Sequence, residues 1–331
     1  MKKFVNDPKD FVAEMLQGLA LANPDTLVYV PEYNLIHRSD APSDERVTII
    51  QGSGSGHEPA HVMTVGPGML TAACPGDVFA APPVDYVYET IKRLASSKGV
   101  LLIVNNYTGD RMAFEMAQEM ASAEGIDVRT LFVDDDVAVQ DSLYTVGRRG
   151  VAGNFFVMKA VGAAAEAGAD LDELVRIGEK VNAATRTMGL ALTACTPPSK
   201  GTPLFDLEPD KVEFGVGIHG EPGRMRVELA SADQMVNDLV EAVATDLQVT
   251  GADRLALMIN GLGGTPISEL YLAYGIAHRA ITAGGAQVTR SYVGEYCTSL
   301  DMAGLSVTAV RVDEEIEQLL AAPAEIAVRV F

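Results

Sequence analysis

The sequence has no run of about 18 apolar residues, so no segment of it reads as a membrane span. Cysteine is scarce as well. Cys74, Cys195 and Cys297 are far apart, odd in number and not at metal-ligand spacing, which speaks against a disulfide framework and against a zinc site. They read as buried or incidental thiols in a reducing cytoplasm. Positive charge is in short supply: 25 Lys and Arg stand against 45 Asp and Glu, a formal net charge of −20. Such a surface repels nucleic-acid phosphates and anionic lipid, so neither nucleic acid nor membrane is an expected partner. It is also a poor surface for capturing free nucleotide unaided, whereas a small neutral substrate is compatible with it. The N-terminus, Met1-Lys-Lys-Phe-Val-Asn-Asp-Pro-Lys-Asp10, turns acidic early and lacks the apolar core of a signal peptide, so the expected location is the cytoplasm.

What is present is an alternation of strand-like and helix-like segments. With 331 residues, 48% of them hydrophobic, the chain can bury one large core or two ordinary ones. Residues 8–22 place apolar side chains at helical spacing. Arg46-Val-Thr-Ile-Ile-Gln51 is a β-branched run ending in Gly-Ser-Gly-Ser-Gly, and Val100-Leu-Leu-Ile-Val-Asn105 reads as a strand buried on both faces. A helix is expected from about Arg111 to Glu124, a strand at Val128–Val133, and a long alanine-rich helical stretch from Phe155 to Ala184. Beyond it come strand-like runs at Leu190–Ala194 and Glu213–Ile218, a helix near Ser231–Thr245, a strand at Arg254–Ile259, a further helix and closing strands. The expectation is two α/β domains, residues 1–182 and 183–331, each with a mixed or mostly parallel sheet covered by helices.

Several glycine-rich segments carry candidate chemistry. Gly52-Ser-Gly-Ser-Gly-His-Glu-Pro59 follows a strand, as phosphate loops do, but lacks the Lys-Ser/Thr of a P-loop and the Gly-x-Gly-x-x-Gly spacing. Its histidine, His57, reads equally as a turn residue or a site residue. Asn105-Asn-Tyr-Thr-Gly-Asp110 lies just past the C-terminal end of a strand, where open α/β sheets bind ligands. Asp110 is either an N-cap for the helix that follows, the slightly favoured reading, or a ligand-facing carboxylate. In Phe214-Gly-Val-Gly-Ile-His-Gly-Glu-Pro-Gly223, the glycines around His219 leave little bulk to bury it, which favours a ligand-facing imidazole over a core one. His61 stands four residues from His57, but Pro59 lies between them and no third metal ligand is apparent. Asp134-Asp-Asp136 reads as a solvated acidic loop in preference to a cation site. Gly261-Leu-Gly-Gly-Thr-Pro266 is either an anion loop or a strand-to-helix turn.

Taken together, these segments resemble the substrate-binding subunit of dihydroxyacetone kinases. The likeness rests on Gly-Ser-Gly-His-Glu-Pro around 53–59, Asn-Tyr-Thr-Gly-Asp at 106–110, Asp-Asp-Asp-Val-Ala-Val at 134–139, Tyr-Thr-Val-Gly-Arg-Arg-Gly-Val-Ala at 144–152, residues 213–223, and Tyr-Cys-Thr-Ser-Leu-Asp-Met at 296–302. The resemblance implies that His219 holds a short ketose as a hemiaminal. It further implies that Asp110 and His57 serve the hydroxyl that is phosphorylated, and that backbone N–H groups around Gly54, Ser55 and Gly56 hold the others. No Walker motif or kinase catalytic-loop signature is present. By resemblance, this chain binds no cofactor or metal; ATP or ADP with Mg2+ belongs to a separate helical nucleotide-binding subunit, and the chain itself forms a homodimer. The donor is either ATP or a phosphotransferase-system protein that recharges a bound nucleotide. A sensor that co-activates transcription is the alternative in the same family.

Two departures stand out. Many family members carry Lys where this chain has Asn105, which removes a cation from the edge of the site and points to a longer ketose such as a tetrulose. The stretch between Thr245 and Arg254 is also shorter than in some relatives, an expected trimming of a surface loop.

Overall fold

A computed structural model describes residues 2–139, 147–221 and 223–328. In chain order the first part contains α1 (Phe11–Ala22), β1 (Leu27–Val30), β2 (Leu35–Arg38), β3 (Thr48–Gln51), β4 (Gly54–Ser55), β5 (Ala72–Ala73) and β6 (Gly76–Val78). It continues through α2 (Val84–Leu94), β7 (Val100–Asn105), α3 (Thr108–Ala123), β8 (Val128–Val133), α4 (Asn154–Glu166) and α5 (Leu171–Ala183). The second part contains β9 (Thr185–Ala191), β10 (Lys211–Phe214), β11 (Met225–Glu228), α6 (Ala232–Leu247), β12 (Arg254–Gly261), α7 (Ile267–Ala283), β13 (Gln287–Glu295), β14 (Gly304–Arg311) and α8 (Glu314–Ala321).

Two six-stranded sheets result, ordered β1-β2-β5-β3-β7-β8 and β11-β10-β9-β14-β12-β13. In the first, β5, β3, β7 and β8 run parallel and β1 and β2 close one edge antiparallel. The second is mixed in the other sense: only β12 with β13 is a parallel pair, and the other pairings are antiparallel. Both are α/β layers as the alternation predicts. The second sheet is antiparallel in character because β9 and β14 pair directly, with no crossover helix between them in the sheet.

The core forms three layers of side chains. Ile50, Leu102 and Val104 pack on one face of the first sheet against Val87 and Ile91 of α2 and Phe114 of α3. Ile49, Leu101 and Ile103, on the opposite face, join Phe155, Phe156 and Val161 of α4, and through them Ala256, Met258 and Val310 of the second sheet. The far face of the second sheet packs against Val236, Leu239 and Val243 of α6 and Ala273 and Ala277 of α7. Helix α4 is thus shared between the sheets and is buried from Asn154 to Ala165. Its apolar, alanine-rich sequence suits this, since a helix apolar all round must be covered all round.

The helical stretch expected from Phe155 to Ala184 is two helices. Gly168, at φ +87°, turns the chain after α4, and the Asp170 side chain accepts from Glu173 N at 2.9 Å to cap α5.

Candidate active site

Neighbouring parallel strands β3 and β7 end side by side, and the loops that follow them build the site. After β3 the chain pairs briefly as β4 with β6 and brings in His57. The approach is close enough that a Cβ on Gly54 would lie 2.6 Å from the Phe79 Cα. Phe79 adopts a left-handed φ of +59°, which is uncommon for a bulky residue, and its ring stacks on His57 with centroids 5.3 Å apart.

The His57 ring is fully buried, and its Nδ1 donates to the Thr298 carbonyl at 2.8 Å. That bond leaves the lone pair on Nε2, which has no partner among the described residues. Burial, and secondly the neighbouring His219, lowers the His57 pKa to about 3, against the opposing pull of the Thr298 bond. His219 lies edge-on to His57, centroids 4.8 Å apart, and edge-on to Tyr107 at 4.2 Å. Its pKa is likewise about 3, from burial first and then from His61 and Arg149. Both imidazoles are therefore neutral near pH 7, the form with a lone pair to give.

Asp110 does not cap a helix. Helix α3 begins at Thr108, three residues earlier than expected, with Tyr107 at the N-cap position, so Asp110 falls inside the first turn. Its carboxylate turns inward and accepts from Ser53 Oγ at 2.8 Å through Oδ2, while Oδ1 is buried without a partner among the described residues. Burial raises its pKa to about 7, and the Ser53 hydrogen bond holds it from going higher. Of the loop residues expected to hold hydroxyls, Gly56 donates its N–H to the Glu58 carboxylate at 3.1 Å and Ser55 Oγ donates to the Gly76 carbonyl at 2.8 Å. Asn105 closes β7 fully buried, its Oδ1 accepting from Asn154 Nδ2 at 3.4 Å.

Asp134-Asp-Asp136 is not a solvated loop: Asp135 and Asp136 are buried. Asp135 accepts from the N–H groups of Val151 and Gly153 at 2.8 and 2.7 Å and so sets the start of α4. Asp136 accepts from Arg149 Nε at 2.7 Å; Arg149 also donates to the Gly215 carbonyl and to Glu221, each at 2.8 Å. Glu221 in turn accepts from the His219 backbone N–H at 3.0 Å. This Asp136–Arg149–Glu221 chain fixes the loop that presents His219. The motif residues Tyr144 to Val146 and Pro222 lie outside the described residues.

The remaining candidates resolve simply. Gly261–Pro266 is a strand-to-helix turn, with Leu262 and Gly264 donating to the Gly304 and Met302 carbonyls. His57 and His61 stand 6.2 Å apart by ring centroid, and no group of three metal-ligating side chains occurs among the described residues. Tyr107, Thr298, Arg149 and Glu221 went unremarked in the sequence, although each lies within one of the motifs; Phe79, twenty residues past the nearest motif, had no signal. Asn154 had no signal beyond being the polar first residue of an apolar helix.

The family model described as the Dak1 domain matches residues 17–328. The chain is 45% identical to the dihydroxyacetone-binding subunit DhaK of PTS-dependent dihydroxyacetone kinase 1 of Listeria innocua, over 95% of each chain. It is 41% identical to the L-erythrulose 1-kinase of Mycolicibacterium smegmatis, covering 98% of this chain and 57% of that one. Among solved structures, the dihydroxyacetone kinase of C. freundii in complex with AMP-PNP and Mg2+ superposes with a TM-score of 0.92 at 35% identity, covering 99% of this chain and 60% of that one. The dihydroxyacetone kinase operon co-activator DhaQ superposes at 0.90 with 34% identity, over 96% and 97% of the two chains.

Proposed function

This chain belongs to the Dak1 domain family, and we propose that it is the ketose-binding subunit of a dihydroxyacetone-type kinase. The observation that carries this reading is the His219 ring set edge-on against His57 and Tyr107, with the buried Asp110 carboxyl, its Oδ1 without a partner among the described residues, in the helical turn that follows Tyr107. A ring nitrogen of His219 adds its lone pair to the ketose carbonyl carbon. The C–N bond forms and the π pair moves to oxygen. The proton given up by the other ring nitrogen balances the one gained by the new hydroxyl, leaving a neutral hemiaminal. Covalent attachment removes most of the positional freedom of the sugar and rejects alcohols such as glycerol, which have no carbonyl. Asp110 then accepts the proton of the terminal hydroxyl as that oxygen attacks phosphorus, with His57 Nε2 hydrogen-bonded to the same group.

The nucleotide, ATP or ADP with Mg2+, belongs on a separate helical subunit. In support, the C. freundii kinase that binds AMP-PNP and Mg2+ is a longer chain, of which this one spans 60%. We read the chain as a cytoplasmic homodimer divided near residue 182, since β1–β8 precede that point and β9–β14 follow it. A ketose-sensing co-activator is the second reading, favoured by the likeness to DhaQ. Sensing needs the histidine that holds the sugar, but it gives a buried carboxyl with a pKa near 7 nothing to do.

Crystals soaked in dihydroxyacetone test the adduct directly. Continuous density from a His219 ring nitrogen to a tetrahedral ketose carbon is expected, and it should disappear in His219→Ala. A ketose bound with its planar carbonyl intact would overturn the mechanism.

A further inference from the structure

Fourteen buried side-chain nitrogens and oxygens have no hydrogen-bond partner among the described residues. Two of them, His57 Nε2 and Asp110 Oδ1, face the reaction already described, and a third, the Tyr107 hydroxyl, belongs to the ring beside His219. Six more belong to four side chains for which that reaction has no use: both amide atoms of Gln51, both ring nitrogens of His61, Asn105 Nδ2 and Asn154 Oδ1. None of these four residues is more than 2% exposed. Buried polar groups are ordinarily paired, and leaving one unpaired is destabilising, so six together call for a polar occupant.

The register of β3 and β7 and the start of α4 bring Gln51, Asn105 and Asn154 to one face of the first sheet, and His61 adjoins that region through His57. Ile49, Leu101 and Ile103 face α4, and Gln51 and Asn105 extend those alternations at the ends of β3 and β7, so both amides face α4 as well. Asn154, the first residue of α4, meets Asn105 at 3.4 Å and the Cys297 sulfur at 3.8 Å. Cys297 precedes Thr298, whose carbonyl holds His57, and the His61 ring lies 6.2 Å from that of His57. The cluster thus lies behind His57, away from the exposed Thr108 and Gly109.

Its chemistry is specific. Two amide NH2 groups and one ring N–H can donate; two amide oxygens and the other ring nitrogen can accept. None of the four side chains brings a cation for an anion, since burial keeps His61 neutral near pH 7. A mixed lining of donors and acceptors without charge matches hydroxyl groups, each of which both gives and receives.

We propose that Gln51, His61, Asn105 and Asn154 form an inner subsite for the hydroxyl-bearing fourth carbon of a four-carbon ketose. This deepens the ketose-kinase reading and rests on it. The end to be phosphorylated stays at Asp110, while the other end runs past His57 toward α4. A triose leaves the subsite to water.

Calorimetric binding to the full chain tests the subsite without the partner subunit. Three ketoses are compared: dihydroxyacetone, the four-carbon ketose, and its analogue lacking the terminal hydroxyl. The four-carbon ketose should bind about tenfold or more tighter than the deoxy analogue, the worth of one or two neutral hydrogen bonds. Gln51→Met keeps the length of the side chain and removes its amide. It should lower the ratio of four-carbon to three-carbon affinity about tenfold, with thermal unfolding confirming a folded protein. Equal affinities for the four-carbon ketose and its deoxy analogue would overturn the subsite, as would a Gln51→Met variant that weakens both sugars alike. If no ketose bound at all, the kinase reading itself would fall.

Discussion

Ser53 offers a way to move the base without removing it. Its hydroxyl donates to Asp110 Oδ2 at 2.8 Å and favours the ionised carboxylate, in opposition to burial. A hydrogen bond to a charged group is worth about 1.5–3 kcal/mol, and one pKa unit corresponds to about 1.4. Ser53→Ala should therefore raise the Asp110 pKa by about one to two units above its value of about 7. The competent base is the carboxylate, so the rising limb of kcat against pH moves upward by the same amount. With the cognate nucleotide-binding partner and saturating ketose, turnover at pH 7, where the parent base is about half ionised, should fall roughly fivefold to fiftyfold and recover above about pH 9. The folded-state pKa is raised above the ordinary carboxylate value, so the stability linked to this group is fully present below about pH 4 and lost as pH rises through about 7. Asp110→Asn should therefore be the more stable protein at pH 8 with no such gain at pH 4, while losing at least about a hundredfold in turnover. A parent profile flat across pH 7, or a Ser53→Ala limb that stays in place, would refute the assignment of Asp110 as the base.

Arg149→Met should unfold at lower denaturant and weaken ketose binding, because it strands buried Asp136 and frees the His219 loop. Breaking such a pair costs about 3–5 kcal/mol, and an unchanged midpoint would show the clamp to be idle. The purified chain should show no phosphorylation of ketose with ATP and Mg2+ until the helical partner is added; micromolar nucleotide binding by the isolated chain would contradict the two-subunit reading. Asn105→Lys should shift the ratio of kcat/KM values toward the triose by about tenfold to two-hundredfold, and an unchanged ratio would remove position 105 from specificity.

The strand that carries Asn105 was legible because it is apolar on both faces, and both Val100–Asn105 and Val128–Val133 match the expected bounds. His57 and His219 were legible as candidates because each stands among glycines after a strand, and Asp110 because it follows the C-terminal end of a buried one. What each does was less so. A cap and a base both put Asp at the start of a helix, and only the inward turn of the Asp110 carboxylate onto Ser53 separates them. The acidic run at Asp134 looks solvated until Val151 and Gly153 supply N–H groups to Asp135 and Arg149 supplies a guanidinium to Asp136, all from later in the chain.

Gln51 and Asn105 show the same limit at finer grain. Each is an amide closing an apolar run, Thr-Ile-Ile-Gln and Leu-Ile-Val-Asn, and taken singly each reads as the polar end of a strand. Their significance comes from register. With Gln51 opposite Ile103, the two amides fall on one face of the sheet, and that face is covered by α4, which begins with a third amide at Asn154. No local pattern in the sequence contains that coincidence, because it needs the pairing of β3 with β7 and the packing of a helix that begins 49 residues after Asn105. Three amides and an imidazole turned inward from an apolar face are more polar surface than a core of this kind accommodates for packing alone. A role in recognition accounts for them, and the ketose series measures it.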